Sequence, residues 1–163
     1  MYYCHLDTPI GELLLAGRHE ALCLIGFPEG PMRRAPDADW TYNEEPFLAA
    51  REQLREYFAG DRKDFDLPMR LNGTEFQLRV LEELQKIPYG DTASYADIAK
   101  HIGNPRAVRA VGAANRRNPV PIVVPCHRVI GSNGDLTGFG GGLDTKKTLL
   151  KLEAEYSQFP YVS

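Results

Sequence analysis

The sequence predicts an α+β fold: a small N-terminal antiparallel sheet with one helix, followed by a helical domain containing a helix-turn-helix. Three observations predict it. Short apolar runs broken by turn residues fill the stretch from residue 2 to 27. After residue 70, helical spacing and capping signals dominate. Between them lies the charged, turn-rich stretch "GDRKDFDLPMRLNG", which reads as a linker and sets the boundary between parts 1–70 and 71–163.

"YYCHL", "ELLLAG" and "ALCLIGF" are three candidate strands, with "DTPIG" and "RHE" as their turns. Residues 28–44 are rich in proline and charge and read as loop. A helix follows, with Pro46 in its first turn, Phe47, Ala50, Leu54 and Phe58 at helical spacing, and Gly60 at its end. In the second part, Thr74 and Gln77 form a capping-box signature for a helix running to Pro88. Ser94 caps the next helix, with Asp97 three residues on and Gly103 at its end. Another helix is expected over 105–114, with Asn104 as its cap and Pro105 in its first turn. Two short helices meeting at "GN" make the helix-turn-helix candidate. A last helix, roughly 145–156, follows the glycine-rich "TGFGGGL".

Composition narrows the function classes. A chain of 163 residues can hold one domain or two small ones with a proper core. It has no apolar run of membrane-spanning length and no signal-peptide pattern at its start. Its three cysteines, Cys4, Cys23 and Cys126, are too few and too odd in number for a disulfide framework. A cytoplasmic protein without membrane contact is expected. Net charge is −3, but unevenly spread. Residues 1–71 carry 13 acidic and 8 basic side chains, whereas 72–163 carry 9 and 11. From Lys100 to Arg117 there are five Lys or Arg and no acid. Such a face binds phosphates, or is simply a solvated helix surface.

Helical geometry, at 100° per residue, sorts the side chains further. Over 105–114, Val108 and Val111 share a face with Ala107 and Ala114, while Arg106, Arg109, Gly112 and Ala113 lie opposite. Small residues beside arginine let a helix approach a groove; they also suit a tight helix crossing. In the last helix Leu149, Leu150, Leu152 and Tyr156 face inward, Lys147, Lys151 and Glu155 outward. Glu153 falls within the inward arc. It is either a rim glutamate reaching water or the partner of His127, because a buried carboxylate needs one. Tyr95 lies inward with Ile98, Ala99 and Ile102, as a core tyrosine would.

The segment "NPVPIVVPCHRVIGSNG" presents one thiol behind three prolines, which restrict their own φ and their predecessors. A buried cysteine is usually an inert small hydrophobe, whereas a reactive one needs a histidine, a helix N-terminus or a cation. Sequence adjacency of Cys126 and His127 does not decide between these, since neighbours in an extended chain point opposite ways.

"PVPIVVPCHRVIG" resembles the "PCHRV" signature of the O6-alkylguanine-DNA alkyltransferases, also called methylated-DNA–protein-cysteine methyltransferases. The likeness continues through "SYADIAKHIGNPRAVRAVGAANRRNP" and reaches the N-terminal "TPIG". It implies a ribonuclease-H-like N-terminal domain. It implies that Cys126 accepts an alkyl group from O6-alkylguanine in DNA, once per molecule and without cofactor. In that scheme His127 acts as base through a bridging water, Glu153 orients His127, and Tyr95 donates a proton toward the departing guanine. Arg109 fills the stack after the nucleotide is flipped out. Asn104, Ala107, Ala110, Gly112, Ala113 and Arg116 meet the minor groove of the duplex. Asn118 holds the active-site turn, backbone groups of Cys126 and Val129 read the base edge, and the 137–142 loop closes over the lesion. The protein is expected to be a monomer, acting on DNA alone or cooperatively.

The chain departs from the pattern in the pocket loop. Gly140 stands where some members have serine, and Phe139 where tyrosine is common. More room and tolerance of bulkier groups and of O4-alkylthymine are the expected result. Some relatives bind structural zinc, but the spacing of Cys4, His5, His19 and Cys23 does not match theirs, and no metal is expected. A lesion-binding protein without transfer activity is the alternative, but such proteins lack the acceptor cysteine. A regulator with an inert thiol and a Cys–His hydrolase are the other readings.

Overall fold

The computed structural model describes residues 1–136 and 138–157. Thr137 of the pocket loop and the tail from Gln158 lie outside the described residues.

The meander forms from the three apolar runs: β1 (Tyr2–Thr8), β2 (Gly11–Arg18) and β3 (Ala21–Gly26) pair antiparallel in order. Thr8 fastens the first turn, donating through Oγ1 to Gly11 O and accepting from Ile10 N. The sheet is nevertheless mixed. A fourth strand, β4 (Thr41–Tyr42), pairs parallel with β1, giving the order β3-β2-β1-β4. It falls in the stretch read as loop. Two residues carry no readable period; the free edge of β1 recruits them, with Thr41 N donating to Met1 O and Asn43 N to Tyr3 O.

A 3-10 turn at Glu45–Phe47 leads into α1 (Leu48–Phe58). Phe47, Ala50 and Leu54 bury as spaced, but Tyr57, not Phe58, completes the stripe. α1 packs against β1. The linker does not wander: Leu22 N donates to Pro68 O and Arg70 N to Leu22 O, so it lies along β3.

The second part holds α2 (Glu75–Leu84), α3 (Tyr95–His101), α4 (Val108–Arg116) and α5 (Leu143–Tyr156). Both expected capping boxes are present, Thr74 with Gln77 and Ser94 with Asp97. α2 stops at Leu84, short of Pro88. α4 starts later than its cap signal suggested. Asn104 N donates to Ala99 O, so Asn104 closes the end of α3, and a turn to Ala107 precedes α4. Gly103, at φ +80°, makes that turn possible. Two facial assignments on α4 reverse: Val108 is exposed, and Gly112 is buried beneath Tyr95 and Arg116. A short parallel pair, β5 (Ala93–Ser94) with β6 (Val129–Ile130), ties the start of α3 to the segment just after the thiol. No helix among the described residues is long and apolar enough to cross a membrane.

Candidate active site

The proline-rich segment folds into one tight turn. Val124 N donates to Val120 O across it, and Asn118 spans its base, donating to Val124 O at 2.8 Å and accepting from Val120 N at 3.0 Å. Ile122, at the tip, has φ +76° and is fully buried. A β-branched residue in that left-handed region is strained by about 1–2 kcal/mol, and it persists because buried packing and three prolines fix its surroundings. Ile25 N donates to Pro119 O, so β3 braces the turn from the other domain. A 3-10 turn over Cys126–Arg128 follows, with Cys126 N donating to Val124 O. The rigid turn therefore delivers Cys126 against Asn115, whose Nδ2 donates to Cys126 O at 3.3 Å.

Cys126 is 3% exposed and lies in the wall of a cavity of about 220 Å³. That cavity is bounded on one side by Asn118, Arg116, Phe139 and Gly140 and on the other by Phe27 and Met32 of the N-terminal part. Burial pushes the thiol up to about 11, partly offset by a hydrogen bond from Asn118 and the charge of Lys146. At neutral pH the sulfur therefore holds its proton and needs a base to lose it.

His127 and Glu153 come together. His127 Nε2 lies 2.6 Å from Glu153 Oε2, and both residues are buried. Burial lowers the imidazole below its usual value, against the pull of Glu153. A neutral ring facing a carboxylate carries its proton on Nε2, which leaves the lone pair on Nδ1. Nδ1 is buried and has no hydrogen-bond partner among the described residues. Glu153 is no rim residue. Its Oε1 accepts from Arg128 Nε at 2.7 Å and Gly90 N at 3.2 Å; its Oε2 also accepts from Arg128 Nη2 at 3.0 Å and Tyr57 OH at 2.6 Å. Burial alone would raise its carboxyl, but hydrogen bonds and charge from His127 and Arg128 hold it at about 2.

Tyr95, half-buried, is set beside the thiol segment by the β5–β6 pair, with Lys146 Nζ 5.9 Å from its ring centre. It does not line the cavity. Val129 is fully buried; its N–H donates to Cys126 O, and its carbonyl accepts from Lys146 Nζ at 2.6 Å, which leaves that oxygen a second lone pair. Arg109 and Ala110 are exposed on α4, as are Arg116 and Asn104, while Ala107 and Ala113 are half-buried. The pocket loop is already fastened: Met32 N donates to Gly140 O at 2.8 Å. The expected extra room at Gly140 is taken up, because a Cβ there would meet Met32 Cβ at 2.9 Å. Cys4 is buried beside Arg51, His5 pairs with Glu12 and His19 meets the Tyr2 ring edge-on.

Residues 1–71 match the family described as 6-O-methylguanine DNA methyltransferase, ribonuclease-like domain, and residues 75–155 match its DNA binding domain. The chain belongs to the 6-O-methylguanine DNA methyltransferase family. It is 54% identical to a methylated-DNA–protein-cysteine methyltransferase of Methanosarcina acetivorans over 153 residues, covering 94% of this chain and 98% of that one. It is 46% identical to the constitutive one of Bacillus subtilis over 161 residues, covering 93% and 94%. Among solved structures, Mycobacterium tuberculosis OGT in complex with DNA superposes with a TM-score of 0.90 at 47% identity, covering 96% of this chain and 94% of that one. The α+β class expected from the sequence, with a ribonuclease-like first domain and a helical second one, is the class this family has.

Three residues of this methyltransferase site were not singled out by sequence reasoning: Tyr57, Asn115 and Lys146. Lys146 had a signal, since it precedes Leu149 and Glu153 at i, i+3, i+7 on the inward face of α5. Tyr57 had half of one, at helical spacing from Ala50 and Leu54. Nothing local reveals its partner, 96 residues away.

Proposed function

We propose that this chain repairs DNA by taking an alkyl group from the O6 atom of alkylguanine onto Cys126, once per molecule. The observation that carries the reading is a single thiol in the wall of a base-sized cavity, next to a buried His127–Glu153 pair. The sulfur attacks the alkyl carbon in line. The carbon–oxygen bond breaks and its electron pair stays with the guanine. The thiol proton passes to His127 Nδ1, through a bridging water, and Glu153 holds the ring while it is charged. Tyr95 supplies a proton to the departing base. The thioether formed is stable, so the protein is consumed and no cofactor takes part.

A base inside a duplex cannot present this carbon to a buried sulfur, so it must be flipped out. Double-stranded DNA is the partner. Exposed Arg109 plugs the gap, and α4, with Ala110 outward, lies in the minor groove. Arg116 and Asn104 flank that surface, Ala107 and Ala113 let the helix come close, and Gly112 supports Tyr95 from beneath. Asn118 holds the turn, and Phe139 and Gly140 wall the pocket. O4-alkylthymine is the second substrate this reading assigns. Residues 71–163 thus bind DNA and accept the alkyl group, and residues 1–70 support them. The protein acts as a monomer in a reducing compartment, where its three free cysteines persist.

The test is intact-protein mass spectrometry with peptide mapping, after mixing with a duplex containing one O6-methylguanine. One added methyl group, on Cys126 and saturating at one per molecule, is the expected result. A protein that binds the lesion yet stays unmodified would be a lesion binder instead.

A further inference from the structure

Glu153 is reached from the other domain. Tyr57 sits on α1 in the N-terminal part, is fully buried, and donates to Glu153 Oε2 at 2.6 Å. That oxygen is the one facing His127 Nε2, also at 2.6 Å. The carboxylate does not need the phenol for neutralisation. Without it, Arg128, His127 and Gly90 already bring four hydrogen bonds to the two oxygens. Nor does the core need it for volume, since phenylalanine has the same ring. What the hydroxyl does is share Oε2 with the imidazole N–H. We infer that Tyr57 is a positioning residue for alkyl transfer: from the N-terminal domain it fixes Glu153 Oε2 against His127 Nε2 and limits how strongly that oxygen draws the ring proton. The inference rests on the reaction proposed above.

The chemistry gives a direction. The charged and titratable groups around the pair are Cys126 and Arg128 from the thiol segment, Lys146 from α5, Tyr57 from α1, and Tyr89 from the α2–β5 connection. Each is held in place by burial or by hydrogen bonds to its neighbours. Removing the Tyr57 hydroxyl leaves more negative charge on Oε2, which favours the imidazolium form of His127. A ring already protonated cannot accept the thiol proton. The acid limb of the transfer reaction must then move to higher pH.

The experiment is the pH–rate profile of transfer to Cys126 in the full chain, with O6-benzylguanine and with a duplex carrying O6-methylguanine. For Tyr57→Phe the acid limb is expected to rise by about one pH unit on both substrates, with duplex affinity unchanged. In a Glu153→Gln background the same substitution is expected to leave the profile where it was, because the shared oxygen has changed. Site-specific 3-fluorotyrosine at position 57, a stronger donor on the same ring, is expected to lower the limb, and it decides the matter should Tyr57→Phe fail to fold. A limb unmoved by the phenylalanine or fluorotyrosine variant, or an equal shift in both backgrounds, overturns this inference alone. If the unaltered chain transfers no alkyl group at any pH, the proposed reaction falls, and this inference with it.

Discussion

Replacing Glu153 with glutamine keeps the shape of the side chain and removes its charge. Five hydrogen bonds converge on that carboxylate: three on Oε2, from Tyr57, His127 and Arg128, and two on Oε1, from Arg128 and Gly90. An amide offers one oxygen and one NH2 group. Turned one way, its NH2 faces Arg128 Nε and Gly90 N; turned the other, it faces His127, Tyr57 and Arg128 Nη2. Either way donor meets donor, and the buried Arg128 guanidinium loses its counter-charge. Breaking a buried pair by removing one partner costs about 3–5 kcal/mol. The catalytic loss is separate. His127 loses the anion that steadies its charged form, and positioned acid–base catalysis is worth roughly 10²–10⁴-fold. Glu153→Gln is therefore expected to lower the midpoint of urea unfolding and to slow methyl transfer within that range. Duplex affinity, measured by fluorescence anisotropy, should stay near the unaltered value because α4 is not touched. Single-turnover quench experiments on an O6-methylguanine duplex give the rate. An unchanged rate in a folded Glu153→Gln protein would refute the role of the carboxylate in transfer.

Other outcomes follow from the same geometry. Arg109→Ala should lose repair of duplex DNA while retaining reaction with free O6-benzylguanine; equal loss on both substrates would remove the plug assignment. The Glu153 carboxyl, held at about 2 instead of 4.5, contributes stability that is complete above pH 4.5 and lost as pH falls through about 2. The amount is about 3 kcal/mol, and acid titration of the unfolding free energy against Glu153→Gln measures it. At Ile122 the usual ranking of small residues should invert: because φ is +76°, Ile122→Gly should be more stable than Ile122→Ala by about 1 kcal/mol, both being destabilised by the lost side chain. Denaturant midpoints for the two variants check the order.

The elements with local causes were legible. Short apolar runs between turn residues, two capping boxes and the glycine after α3 announce themselves within a few residues. So did the thiol segment, whose prolines and unusual Cys–His–Arg run are contiguous. What stayed hidden depends on partners distant in sequence. β4 exists because β1 offers an edge, and Gly112 is buried because Tyr95, seventeen residues earlier, packs over it. The Val129 carbonyl gives no local sign of Lys146, seventeen residues later, which donates to it. The space at Gly140 is decided by Met32, and the orientation of Glu153 by Tyr57. Sequence spacing places a residue on a face; it does not say what stands opposite.

The convergence on Glu153 has a consequence for how the protein matures. Glu153 lies on α5, and its ligands come from α1, from the turn at Gly90 and from the thiol segment, the farthest of them 96 residues away. Contacts so distant in sequence form late, after loop closure has been overcome. Until α5 has docked, His127 has no carboxylate and Cys126 has no oriented base, and until α1 has docked that carboxylate lacks Tyr57. A nascent or partly unfolded chain is therefore unarmed: it carries the sulfur but not the means to deprotonate it. For a protein that can react only once, assembly itself acts as the safety catch.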